Sequence, residues 1–417
     1  MAEIRPIRAL HYDLSAVPDL ADVVAPPYDV IDAEGRAALL ARSPLNVVEI
    51  DLPQDPEGGD PYEHAAKTMT EWTDQGILTA DRDDAIWALE QDYSGPDGVR
   101  RTRRGFLCRV RVTDYGPGLV RPHERTQPGP KEDRLRLTRA TRHNLSPIFS
   151  LHKGDVWQYI APALSPEPLA EVRDAEDTVH RIWRIDNPDV HQSVAAALAE
   201  TELLIADGHH RYETARTYAD EIGGDGEHRY TLMALSSLDD DGTTTFGYHR
   251  MLTGLDTEEK QQSVGKAIRE LFDIEEVTLD DLDPGEAPGI GVFGYIDAHH
   301  RTPYRITLKD ISVMDPLLPD RSEAYRRLDA AILETLILRQ ALGMSEADVE
   351  AKKGLAYTAS SKSAIEALDG KAQALFLMRP TPVDQVREVA DAGETMPPKS
   401  TYFFPKLLTG FAFNPLS

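Results

Sequence analysis

The chain has 417 residues, 41% of them hydrophobic and 28% charged, which is enough apolar material for two or three domains or one elaborated α/β unit. Asp and Glu together number 71 against 45 Lys and Arg, so the formal net charge is −26. A surface of that sign repels nucleic acids and anionic membranes, which argues against a general binder of either.

Cysteine usage and the lack of long apolar runs indicate the compartment. Cys108 is the single cysteine, which excludes an intrachain disulfide and a cysteine-cluster zinc site. The sequence has no basic-then-apolar leader and no apolar run near the ~20 residues that cross a bilayer. We therefore expect a cytoplasmic protein with no membrane partner.

The first 111 residues are predicted to alternate between helices and strands. Pro26 and Pro27 forbid helix in the block APPYDV and place Tyr28 and Asp29 on an ordered loop. The pattern after this loop predicts, in chain order, a helix over 33–42, a strand over NVVEIDLP, an amphipathic helix ending near residue 76, and strands over AIWALEQDYS and RRGFLCRVRV.

A second loop and a basic helix follow. Prolines at 122, 128 and 130 are predicted to fix a loop that holds His123, Glu124, Arg125 and Thr126. Residues 131–142 then read as a helix with a basic face that includes Arg134. Because a local positive patch departs from the background charge of −26, we favour anion binding over a merely solvated face.

The stretch LLIADGHHRYETARTY, residues 203–218, carries the densest chemistry of the chain. A strand is predicted to end at Asp207 and Gly208, where a tight turn leads into a helix that begins near His209. Such a junction places backbone N–H groups and the positive end of a helix dipole beside an acid, imidazoles and a guanidinium. That arrangement suits a phosphate group, with or without a metal ion.

Individual residues of this stretch leave alternatives open. His209 leans toward the predicted core face, so a buried structural histidine is the alternative to a site residue. His209 and His210 are adjacent and lack the four-residue spacing of a helical zinc pair. Asp207 could instead hold Mg²⁺ with nucleotide phosphates, and Arg211 could neutralise phosphoryl charge. Glu213 and Thr214 complete the set of candidate contacts.

Past residue 218 the pattern predicts two strands around an Asp/Gly turn, the second ending at His249 and Arg250. An acidic helix, two strands and a long helical run over 322–342 follow, with a domain border placed between residues 253 and 254. Lysine is scarce, so Lys399 and Lys406 in the aromatic- and proline-rich tail are candidates to return to the site and reach an anionic ligand.

Four blocks together resemble the bacterial and archaeal family known as domain of unknown function 1015. The blocks are APPYDV at 25–30, PHERT at 122–126, ADGHHRYETA at 206–215 and MPPKSTYFFPK at 396–406. The likeness runs nearly end to end, but the family name implies little chemistry. The sequence carries neither a Walker A motif nor GxGxxG, so a nucleotide would be held in some other way.

The core DGHHR at 207–211 also resembles the motif of ParB/sulfiredoxin-like proteins, among them free serine kinases that use ADP or ATP. This likeness implies an α/β or mixed α+β fold, a ParB/sulfiredoxin-like core with large elaborations. It makes Glu124 the base toward a serine hydroxyl, with Glu213 or Asp29 as alternatives. The residues from Asp207 to Arg211 would then contact phosphate and metal.

The resemblance therefore predicts a kinase that takes ATP or ADP, with Mg²⁺, and phosphorylates a small hydroxyl compound, free L-serine being the preferred acceptor. A protein that binds or senses a nucleotide without turnover is the alternative. A ParB-like nucleotide hydrolase or DNA-associated protein is a third possibility, which the net charge of −26 disfavours.

Overall fold

The computed structural model describes residues 2–124, 126, 128–285 and 287–417. Within it the chain divides into two units. The first unit comprises residues 1–122, 126–243 and 405–417, and the second comprises residues 123–125 and 244–404. The first unit thus ends at residue 243, where the sequence suggested a border at 253, and the last part of the tail belongs to it.

The first unit is built from a mixed sheet, smaller pairs of strands, and helices on their faces. In chain order its elements are β1 (Ile4–Arg5), β2 (Leu10–Tyr12), α1 (Ala33–Arg42), α2 (Val48–Asp51), α3 (Pro61–Asp74), β3 (Leu78–Ala80), β4 (Ile86–Ser94), β5 (Arg100–Arg111), β6 (Val120–Arg121), α4 (Pro128–Thr141), β7 (His143–Asn144), β8 (Ile148–His152), α5 (Trp157–Ile160), β9 (Ala170–Arg173), β10 (Val179–Ile185), α6 (Pro188–Leu198), β11 (Leu203–Asp207), α7 (His209–Ile222) and β12 (Tyr230–Ser237).

The main sheet of this unit has the strand order β6-β11-β8-β12-β5-β4-β10-β9, with β1 paired to β5. β11 pairs in parallel with β6, and β12 pairs in parallel with β8. β11 runs antiparallel to β8, so Asp207 lies opposite Phe149 near the start of β8. The carboxyl end of β11 and the carboxyl ends of β8 and β12 therefore lie at opposite edges of the sheet.

The second unit is built around an antiparallel sheet. Its elements are β13 (Thr244–Phe246), β14 (His249–Leu252), α8 (Glu258–Leu271), β15 (Phe272–Glu276), β16 (Val292–Asp297), β17 (Tyr304–Leu308), α9 (Glu323–Arg326), α10 (Asp329–Leu333), α11 (Glu346–Glu350), β18 (Leu355–Thr358), α12 (Ser361–Glu366), β19 (Ala374–Met378), α13 (Val383–Asp391) and β20 (Tyr402–Phe404), and β21 (Asn414–Pro415) follows in the first unit. The sheet order is β15-β17-β16-β19-β14-β18, and β13 pairs with β20.

Most predicted elements are present, and the predicted α/β fold, mixed in character, is confirmed. The helix over 33–42 has the predicted bounds, and Asp60 begins α3 by accepting the N–H groups of Tyr62 and Glu63. Cys108 is fully buried in β5. None of the helices in the described part of the chain is long and apolar enough to cross a membrane.

The predicted strand NVVEIDLP is wrong, because these residues form the short helix α2. The buried Asn46 side chain accepts the N–H of Val48 and donates to the carbonyls of Asp22 and Val24. This amide fixes the chain at the start of a helical turn. Its three bonds outweigh the strand preference of the β-branched residues that follow.

Two predictions beyond residue 237 are also wrong in detail. The run predicted to end at His249 and Arg250 is split into β13 and β14, and these residues begin β14. The predicted long helix over 322–342 is interrupted at Leu328, whose φ of −66° and ψ of 127° are extended. After α10 the chain continues as a π-helix over Glu334–Ala341, a rare form in which N–H groups bond the carbonyl five residues earlier.

Candidate functional site

The strand, turn and helix around Asp207 have the predicted form. β11 ends at Asp207, and α7 begins at His209 after Gly208, whose φ is +94°. An added Cβ at Gly208 would lie 2.9 Å from Arg211 Nε. Glycine at this position therefore meets two needs: a left-handed backbone and room for the guanidinium that lies against it.

Asp207 is shared between two cations. Its Oδ2 accepts from Lys406 Nζ at 2.6 Å, and its Oδ1 lies 3.7 Å from Arg211 Nη2. Burial raises the pKa of the Asp207 carboxyl, but Lys406 and Arg211 outweigh burial and hold that pKa well below its usual range. Asp207 is thus ionised at neutral pH. The contact also brings the predicted tail lysine to the predicted acid.

A third cation, Arg103, lies on the same face of the sheet. Its side chain is 1% exposed, and Nε and Nη2 donate to Gln91 Oε1 at 3.0 and 2.6 Å. Nη2 also donates to Pro405 O at 2.6 Å, next to Lys406, and the guanidinium lies 4.4 Å from the Phe149 ring centroid. Burial lowers the pKa of Arg103 to about 10, and Tyr93, Asp240 and Asp207 act to raise it.

The charges of these four residues do not balance. We name Arg103, Asp207, Arg211 and Lys406 the Asp207 cluster. Among the described residues, Arg103 forms no ion pair with a carboxylate, and both Arg103 Nη1 and Arg211 Nε are buried without a hydrogen-bond partner. Within the cluster three cations face one half-buried carboxylate, although Asp51 and Asp240 also act on Arg211 and Arg103 from further away. An anion would relieve the remaining positive charge.

Arg134, Arg211 and Thr214, all predicted contacts, line one small cavity of about 30 Å³. Arg134 is already paired with a carboxylate. Its Nη1 donates to the carbonyl and the Oδ1 of buried Asp51, at 2.7 and 3.2 Å, and its guanidinium lies 4.0 Å from the Tyr28 ring centroid. Arg134 therefore supports the wall behind Arg211 and brings the block APPYDV to the same place.

The remaining predicted residues of the first unit differ in exposure. His209 is buried beside Asp207 and His210 is half-buried, so the core alternative for His209 fits its burial. Glu213 Oε1 lies 3.6 Å from Arg216 Nη1. Burial is the main cause that raises the pKa of Tyr115, and the charge of Glu213 raises it further. Thr126 is half-buried in the first unit.

The other predicted residues belong to the second unit, where two blocks meet. Glu124 forms a parallel bridge with Met396, and His123 Nε2 bonds Thr401 Oγ1 at 2.9 Å. Lys399 has φ +56° and its Nζ lies 5.1 Å from the Tyr248 ring centroid. Arg125 lies outside the described residues.

The donor set does not fit a metal ion held by the protein alone. In the described ranges, no group of three His, Cys, Asp or Glu residues could hold a metal. Asp207, the predicted Mg²⁺ ligand, already bonds Lys406 through Oδ2. A metal on that oxygen would have to displace the lysine.

Sequence reasoning missed Arg103 and Gln91. A signal existed, because strand alternation places Arg103 two residues before the buried run Gly105 to Leu107, where an arginine is expensive to bury. Gln91 is its directly paired neighbour on β4. Gln91 Nε2 also donates to Lys406 O at 3.3 Å. Arg103 and Gln91 together therefore bind the two consecutive carbonyl groups of Pro405 and Lys406.

The family comparison matches residues 4–331 to the family described as Protein of unknown function (DUF1015). The chain belongs to this family. The resemblance predicted from the four sequence blocks is confirmed. No curated protein matches the sequence.

Three solved structures show the level of structural similarity. A variant of free serine kinase in complex with AMP has a TM-score of 0.38 and 15% identity, covering 72% of this chain and 88% of that one. A complex of the kinase with ADP has a TM-score of 0.38 and 14% identity over the same shares. A conserved hypothetical protein from Pyrococcus furiosus has a TM-score of 0.36 and 14% identity, over 70% of this chain and 90% of that one. Similarity at this level does not establish a shared activity.

Proposed function

We propose that the protein is a small-molecule kinase that transfers phosphate from ATP or ADP to a hydroxyl acceptor, with free L-serine as the preferred acceptor. The observation that carries the proposal is the charge of the Asp207 cluster, where three cations face one carboxylate at the start of α7. A nucleotide polyphosphate supplies the missing negative charge.

In this proposal the phosphates lie at the first turn of α7. Gly208 has no side chain to cap the helix, so an anion can meet the positive end of its dipole. Lys406 and Arg211 donate to phosphate oxygens, and Asp207 keeps both cations in place while the site is empty. As the bond to the transferred phosphoryl group breaks, Lys406 and Arg211 stabilise the charge that develops on the leaving nucleotide.

The base must take the proton of the acceptor hydroxyl. Glu124 keeps this role in the proposal because the motif resemblance implies it. Asp29 is the first alternative: it is exposed, and its neighbour Tyr28 lies against Arg134. Glu213 is the second, although its contact with Arg216 at 3.6 Å competes for the same carboxylate.

Mg²⁺ enters the proposal only as an ion that accompanies the nucleotide in solution. Lys406 bonds Asp207 Oδ2, and Arg211 lies 3.7 Å from Oδ1, so both oxygens of the predicted ligand face a cation. The proposed partners are a nucleotide and a small hydroxyl compound, and a cytoplasmic location stays a prediction.

The direct test incubates purified protein with ATP or ADP, Mg²⁺ and a panel of hydroxy amino acids, and detects phosphorylated product by mass spectrometry. We expect O-phosphoserine from wild type and none from Asp207→Asn. Phosphorylation of none of the acceptors would contradict the kinase proposal. Full turnover in Asp207→Asn would remove the role assigned to the cluster.

A series of three variants, Glu124→Gln, Asp29→Asn and Glu213→Gln, identifies the base. The true base loses the chemical step while nucleotide affinity stays within about twofold of wild type. If nucleotide binds and no product forms with any acceptor, the sensor alternative replaces the kinase. DNA binding that persists at physiological salt would instead favour the ParB-like possibility.

A further inference from the structure

A second cleft lies on the other face of the same sheet. Strand alternation turns Phe149 and Arg103 to the face of the Asp207 cluster, whereas His152 and Thr102 point to the opposite face. There they line a cleft of about 260 Å³ beside the carboxyl ends of β8 and β12. The two sites thus use opposite faces of the sheet, while Arg103 of the cluster lies in sequence between Thr102 and Arg104 of the cleft.

The floor of this cleft carries a buried histidine with an available nitrogen. His152 is 2% exposed and lines the cleft. Its Nδ1 donates to Lys153 O at 3.1 Å, which leaves the lone pair on Nε2. Among the described residues Nε2 makes no hydrogen bond. Burial lowers the pKa of His152, so the imidazole is neutral and Nε2 accepts.

The rim of the cleft is strongly acidic. Four aspartates line it: Asp155, Asp239, Asp240 and Asp241. The one cation of the lining, Arg104, already bonds Glu90 at 3.2 Å. Backbone N–H groups fix the carboxylates, since Gly154 donates to Asp239 at 3.1 Å and Gly242 to Asp240 at 2.9 Å. These backbone hydrogen bonds therefore hold the negative charges at the rim of the cleft.

The carboxylates of the rim lie beside apolar side chains. Burial raises the pKa of Asp240, whereas the Gly242 N–H and the charges of Arg104 and Arg103 act to lower it. Phe106 and the half-buried Trp157 form an apolar wall beside them. The cleft combines acceptors for several N–H donors with a surface for methylene groups.

We propose that this acidic cleft, formed by His152 and Asp155 with Asp239, Asp240 and Asp241, binds an aliphatic diamine or polyamine. One ammonium would donate to His152 Nε2 and the other to the rim, while the methylenes lie against the apolar wall. An amino acid fits less well, because its carboxylate would face the aspartates. The described side chains do not converge into a three-ligand metal group. The proposal goes beyond the kinase activity and does not depend on it.

The test is a calorimetric titration of putrescine and spermidine into the full-length protein at 150 mM NaCl. We expect one saturable site for at least one amine. His152→Phe and Asp241→Asn should each weaken that site about fivefold or more. Asp241 is exposed, and within the described part of the chain its carboxylate forms no hydrogen bond or ion pair, so this variant keeps the test valid if His152→Phe fails to fold.

A charge control separates this site from the attraction of any cation to an acidic protein. Asp74→Asn removes an exposed carboxylate elsewhere, at the end of α3, and should leave amine affinity unchanged. Equal losses in Asp74→Asn and Asp241→Asn would overturn the proposal, as would the absence of saturable binding. Displacement of the amine by micromolar Mn²⁺, or by L-serine, would also overturn it in favour of a metal or amino acid site.

Discussion

The Asp207 cluster and the acidic cleft carry opposite charge although they lie on one sheet. The cluster places three cations around a half-buried carboxylate, and the cleft places four aspartates around a neutral histidine. A net charge of −26 predicts neither local excess. The charge of a ligand must therefore be inferred from the balance of positive and negative side chains within each site.

The largest effect is expected from Arg103→Met. Gln91 Oε1 and Pro405 O lose their donor, and the tail loses its anchor beside Lys406. We expect the free energy of unfolding to fall by about 3 kcal/mol in urea titrations. Arg103→Lys should recover part of this loss. Unchanged stability in both variants would show that the tail is held by other contacts.

Gly208→Ala is expected to have the next largest effect on stability. Alanine at φ +94° strains the backbone, and its Cβ meets Arg211 Nε at 2.9 Å. The expected cost is about 2 kcal/mol of unfolding free energy. In the double variant with Arg211→Ala the steric part should disappear while the backbone part remains. Strict additivity of the two changes would contradict the contact.

Asp207→Asn tests the charge at the centre of the cluster through pH. The pKa of Asp207 is lower in the folded than in the unfolded protein, so its contribution is present above the unfolded value of about 3.9 and lost as pH falls. Wild type should exceed the variant by about 1–2 kcal/mol at pH 7, with the gap closing below pH 4. A gap that does not change with pH would contradict the depressed pKa.

The smallest effect is expected from His152→Phe on nucleotide affinity, which tests whether the two sites are independent. His152→Phe changes the acidic cleft, on the face opposite the Asp207 cluster. His152 contacts no residue of the cluster through a hydrogen bond or ion pair among the described residues, so nucleotide affinity should stay within about twofold of wild type. A tenfold change by calorimetry would mean that the two sites are coupled through the sheet.

Local patterns predicted most of the elements around the site. The apolar run, the glycine and the helix-forming residues of ADGHHRYETA determine a strand, turn and helix within a few residues. The same reasoning predicted a strand after Asn46, where the structure has helix α2. The hydrogen bonds from the Asn46 side chain to Asp22 and Val24 form only when distant parts of the chain come together, and they override the strand-like pattern.

The partners within the site were harder to predict. Lys406 and Asp207 are 199 positions apart, and scarcity of lysine was the only signal that connected them. Arg103 and Gln91 are neighbours only after β4 and β5 pair in register. Long-range pairing of this kind depends on the whole sheet, so a single sequence carries it weakly.

The central claim is that excess positive charge in the Asp207 cluster binds nucleotide phosphate. Calorimetric titration of ADP and ATP into wild type and Lys406→Met, with Lys399→Met as the matched tail-lysine control, tests it most directly. We expect saturable binding to wild type and a loss of at least tenfold in Lys406→Met, since one charged hydrogen bond is worth about 1.5–3 kcal/mol. Equal affinity in wild type and Lys406→Met would contradict it.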